Sequence, residues 1–81
     1  MTTITILEKK DNSVMYKTGN KFGIAHFTTR GGRLQYQPKE TGFFYGIKNI
    51  QNDDEIISAI QYCGHSFLVN TEVESHKYFN M

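Results

Sequence analysis

Apolar and polar positions alternate through most of the first half of the chain, and a period of two marks a half-buried strand. Thr2 to Leu7 sets Ile4 and Ile6 on one side and threonines on the other. The polar run Glu8-Lys9-Lys10-Asp11-Asn12-Ser13 carries turn formers, so Val14 to Lys17 is expected to return as the second arm of a hairpin. Thr18-Gly19-Asn20 makes a second turn, because Gly and Asn tolerate positive φ. Phe22 to Thr28 reads as a third strand, and Thr29-Arg30-Gly31-Gly32 turns it into a fourth, Arg33 to Gln37. Pro38 cannot donate to a central ladder, so it ends that strand or lies at an edge. Gly42 to Ile47 is a fifth candidate, short and aromatic.

The period then changes to that of a helix. Ile56, Ile57, Ile60 and Cys63 recur on one stripe. Asn52 is a good N-cap, Asp53, Asp54 and Glu55 suit the positive end of the helix dipole, and Glu55 completes a capping-box spacing. Gly64 supplies a left-handed C-cap. After it, His65 to Val73 alternates again, with Phe67, Val69, Thr71 and Val73 on one face of a final strand. Glu74 to Met81 is expected to be a loose tail, although Tyr78 and Phe79 are apolar for solvent. The pattern predicts one α+β domain over residues 1–81, a small antiparallel sheet of four to six strands packed on one helix near 53–63.

Composition narrows the class. At 81 residues there is room for one core, and a single cysteine builds no disulfide scaffold. No apolar run approaches the roughly 20 residues of a membrane span, so no membrane association is expected. Met1-Thr2-Thr3-Ile4-Thr5-Ile6 has neither the basic nor the apolar region of a signal peptide. The expected location is therefore the cytoplasm of the producing cell. Net charge is +1 but unevenly placed: eight Lys or Arg face Glu8, Asp11 and Glu40 up to Ile50, a local +5. From Gln51 onward Lys77 stands against Asp53, Asp54, Glu55, Glu72 and Glu74, a local −4. Such asymmetry suits a nucleic-acid face or head-to-tail contact between copies.

Catalytic chemistry finds little footing. Cys63 lies at the C-terminal end of the helix, away from the N-terminal field that lowers a thiol pKa. A pair with His65 is one reading, but a small buried hydrophobe beside a strand-leading histidine is the favoured one. His26, His65 and His76 are scattered, and no Cys-x-x-Cys or His-x₃-His spacing suggests a metal. Gly31-Gly32 lacks the Gly-Lys-Ser/Thr of a phosphate loop. No catalytic residue, metal ligand or cofactor is assigned.

Lys21-Phe22-Gly23-Ile24-Ala25-His26-Phe27 resembles the sheet motif of RNA-recognition and cold-shock domains, with Phe22, Gly23 and Phe27 matching. Asn20-Lys21 stands where that motif has a basic residue and glycine, and Ile24 where it has its central aromatic. The resemblance implies single-strand binding through Lys21, Phe22, Phe27, Arg30 and Arg33, with Tyr36 nearby. A second resemblance covers the other half. Gly42-Phe43-Phe44-Tyr45-Gly46-Ile47, the helix from Asn52 to Ile60, Gly64 and Phe67 look like a pattern in small phage-encoded proteins. It implies a non-enzymatic accessory protein that attaches to a virion surface or a host factor.

Five tyrosines and six phenylalanines exceed what one thin core needs, and a helix on one side leaves the opposite sheet face open. The leading expectation is a protein-docking or structural module using Tyr16, Tyr36, Phe43, Phe44 and Tyr45, with self-association as one form of docking. Single-stranded nucleic-acid binding is the alternative.

Overall fold

In the computed structural model, which describes residues 3–38, 44–65 and 67–80, three two-residue turns lay out the first four strands. Asp11-Asn12 joins β1 (Ile4–Lys10) to β2 (Ser13–Thr18), and Gly19-Asn20 joins β2 to β3 (Lys21–Arg30). Gly31-Gly32 joins β3 to β4 (Arg33–Tyr36), with φ of 59° and 79°, the two positive values that a type I′ hairpin turn demands. β5 (Tyr45–Ile47) pairs with β4 and completes an antiparallel meander in the order β1-β2-β3-β4-β5. A sixth strand, β6 (Leu68–Val69), pairs with the first half of β3. The fold is α+β, mostly sheet with two short helices.

Helix α1 (Asp53–Cys63) begins and ends where its caps dictate. The Asn52 side chain accepts from Glu55 N–H at 3.3 Å and donates to Glu55 Oε1 at 3.0 Å, and Gly64 N–H closes on Ile60 O at 2.7 Å. Ile56, Ala59, Ile60 and Cys63 form its buried stripe. They meet Ile4, Val14, Tyr16, Ala25, Phe27, Tyr36 and Ile47 on the inner face of the sheet, with Ile57 partly buried beside them.

The expected loose tail is the main correction. Residues 72–79 form α2 (Glu72–Phe79), and the expected strand from His65 to Val73 shrinks to Leu68–Val69. Thr71 is the N-cap: its Oγ1 accepts from Glu74 N–H at 3.1 Å. Glu72 and Glu74 in the first turn, with His76 and Lys77 in the last, complement the helix dipole. Only Ser75 and Phe79, four residues apart, are buried, and Val73 points to solvent. Phe79 joins Met15 and Ile24 on the outer face, and Ser75 Oγ lies 3.0 Å from Met15 Sδ. With a helix on each face, β2 buries Val14, Met15 and Tyr16 in succession, as doubly covered strands do. The outer face of the sheet is thus half covered rather than open.

Other boundaries move by a few residues. Glu8, Lys9 and Lys10, expected in the turn, extend β1, and β4 ends at Tyr36, two residues before the buried Pro38. Gly42 and Phe43 of the expected fifth strand lie outside the described residues, as does Met81.

Gly23 leaves the space that the Tyr16 ring occupies against β3. A Cβ there would fall 2.3 Å from Cζ of Tyr16, whose ring is fully buried across the register pair. Gly23→Ala should therefore cost about 2 kcal/mol through overpacking. The expected result is a melting temperature lowered by roughly 8–16 °C. Tyr16→Leu should recover part of that loss in the double variant, because it vacates the space the new methyl needs.

Candidate functional site

The edges of the sheet are poor docking sites. β1 carries Glu8, Lys9 and Lys10 and a register shift between Ile6 and Glu8, β5 is three residues long, and β6, which also ends the sheet, is two. Charge, irregularity and shortness each discourage strand addition. The faces are what is left.

On the outer face, Phe22, Ile24, His26, Thr28 and Arg30 alternate along β3. Register pairing sets Ser13 beside His26, Gln35 beside Thr28 and Arg33 beside Arg30. α2 covers Met15 and Ile24 but leaves His26, Thr28 and Arg30 exposed. Two clefts occupy this face and meet at His26. One, of about 320 Å³, is lined by Ile24, His26, Phe67 and Tyr78. Phe67 and Tyr78 meet edge to face with centroids 4.7 Å apart, and remain 40% and 46% exposed. The other, of about 270 Å³, is lined by His26, Thr28, Arg30, Gln35 and Gln37. His26 Nδ1 lies 2.7 Å from Ser13 Oγ, which leaves Nε2 without a partner among the described residues. The surface therefore grades from apolar to cationic along one strand.

Comparison with protein-family models, curated proteins and solved structures finds no match.

The residues expected to dock are not one patch. Tyr16 and Tyr36 belong to the core and can touch no partner. Phe43 lies outside the described residues. Phe44 is 57% exposed, and half-buried Tyr45 meets Tyr62, itself 60% exposed, with centroids 5.8 Å apart. Tyr45 and Tyr62 form a second aromatic surface on the side of the sheet that α1 covers.

The set expected to bind a single strand also divides. Phe27 is buried in the core, and Lys21, adjacent to Phe22, projects to the opposite face and is bonded to Asn70. Phe22 is half-buried with the Lys17 ammonium 5.8 Å from its ring centre. Only Phe22, Arg30 and Arg33 share the outer face. Phe67 and Tyr78, which the sequence reading placed on a strand and in a tail, are the aromatic residues exposed beside them.

Tyr16 and Tyr36 hold the segment after α1 against the sheet. Tyr36 O–H donates to Gly64 O at 2.7 Å, and the Tyr16 hydroxyl lies 2.6 Å from His65 Nδ1 with the two rings stacked. Cys63 Sγ faces Tyr36 O at 3.7 Å, and burial pushes its thiol pKa up. Thiol and imidazole thus serve different partners, and neither activates the other. Among the described residues no group of three His, Cys, Asp or Glu is gathered to hold a metal, and no helix is long and apolar enough to cross a membrane.

Burial lowers the His65 pKa from its ordinary 6.5 and raises that of Tyr16. With His65 neutral, Tyr16 O–H donates to Nδ1. Unfolded chains take up the imidazole proton near pH 6.5, whereas the folded protein resists until lower pH. This contribution to stability is complete above that value and declines as pH falls through it. Thermal melts from pH 7.5 to 5 should show this decline, and His65→Gln should flatten it.

Proposed function

We propose that this chain is a non-enzymatic docking module, of the phage-accessory type, that binds a protein through the outer face of its sheet. One observation carries the reading. Phe67 and Tyr78 wall an apolar cleft floored by Ile24, on a face that α2 leaves partly uncovered. Partly exposed aromatic side chains beside a preformed hollow are the usual anchors of protein interfaces. The polar cleft next to it, with Arg30, Gln35 and Gln37, supplies a hydrogen-bonding rim. The place of action is the producing cell or a virion.

Nucleic-acid binding is disfavoured because its proposed residues divide between the two faces and the core. Titration of a labelled single-stranded 20-mer across a salt series tests this. No sub-micromolar binding is expected near physiological salt. Tight binding whose log–log salt slope flattens by up to about three on Lys21→Gln, Arg30→Gln and Arg33→Gln together would overturn the docking reading.

A further inference from the structure

We infer that the partner seated in this cleft is a second copy of the same chain, docked head to tail; the inference rests on the docking reading above. The molecule carries two unlike aromatic surfaces on opposite sides of its sheet. The outer one combines the Phe67–Tyr78 cleft with Arg30 and Arg33, which face each other across β3 and β4. Both arginines are exposed and form no ion pair among the described residues. The other surface lies along α1. Asp54, Ser58 and Tyr62 follow at intervals of four on one side of the helix, and Tyr62 adjoins Tyr45. Asp54 is exposed and unpaired among the described residues, unlike Asp53, which meets Lys9.

The two surfaces are complementary in sign, with two exposed arginines on one and the exposed Asp54 carboxylate on the other. Tyr62 and Asp54 stand about 12 Å apart along the helix. Ile24 and Arg30 stand about 20 Å apart along β3, and the Arg30 side chain lines the polar cleft together with His26. The backbone spacings differ by about 8 Å, which the Arg30 side chain has to span. The two clefts meet at His26, where a seated aromatic group and a carboxylate lie side by side. Because the surfaces differ, each copy offers one and receives the other. Such an interface is heterologous and propagates into rings or filaments.

Sedimentation velocity over a concentration series tests this directly. Wild type should associate progressively, with affinity falling about tenfold in Tyr78→Ser, in Tyr62→Ser, and in Arg30→Glu combined with Arg33→Glu. Asp54→Arg added to that arginine pair should restore part of the affinity. Mixing Tyr78→Ser with Tyr62→Ser should yield dimers that grow no further, since one intact cleft then meets one intact helix surface. Circular dichroism melts of each variant establish that it is folded. Monomer at every concentration, or no dimer on mixing the two folded variants, would overturn self-docking. The docking reading itself falls on a different result, namely that assemblies from producing cells survive Phe67→Ser with Tyr78→Ser.

Discussion

Ile60→Asp should leave the chain without a cooperative melt. Ile60 is buried between α1 and the inner face of the sheet, in the cluster that includes Val14, Tyr16, Ala25 and Phe27. A carboxylate there loses the packing of an isoleucine and adds a desolvated charge with no cation beside it. Together these cost about 5 kcal/mol or more. The whole stability of an 81-residue domain is roughly 4–12 kcal/mol, so the change removes a large share of it and, towards the lower end, all of it. Ile60→Val, which removes one methylene, should cost only about 1 kcal/mol and keep the transition sharp. A melt for Ile60→Asp within a few degrees of wild type would contradict the packing described above.

Phe79→Ala should be the next most damaging change. Phe79 is the anchor of α2 on the outer face, against Met15 and Ile24, and only Ser75 is buried with it. Truncation removes about 3 kcal/mol and lowers the melting temperature by roughly 12–24 °C. A surface residue in a loose tail would change stability by no more than about 0.5 kcal/mol. The two outcomes are far apart, so one melt distinguishes a docked helix from a tail. Because Tyr78 adjoins Phe79, the same variant should also disturb the apolar cleft.

α1 was legible in the sequence because its signals agree: an Asn cap, an acidic first turn, an apolar stripe and a terminal glycine all fall in register. The hairpins were legible because turn residues punctuate alternating runs. α2 was hidden for a physical reason. Its buried side is two residues wide, and Phe67, Val69, Thr71 and Val73 happen to alternate across its start. One signal pointed the other way: Thr71 and Glu74 have the spacing of a capping box, which the structure uses. Missing α2 also misplaced the candidate site. Tyr16 and Tyr36 fail as docking residues for a separate reason: both lie on the inner face beneath α1, where they tether the segment after it. Side-chain alternation shows that two positions share a face, but not which element covers that face. Phe67 and Tyr78 come together only once β6 and α2 fold back onto β3.

The cleft on the outer face is the centre of this account, and native mass spectrometry of the protein taken from its own producing cells tests it most directly. The account predicts assemblies whose added mass is protein, bound through Phe67 and Tyr78, and their loss in a folded Phe67→Ser, Tyr78→Ser variant. Wild type recovered only as free monomer, or carrying an oligonucleotide mass that the double variant retains, would contradict it.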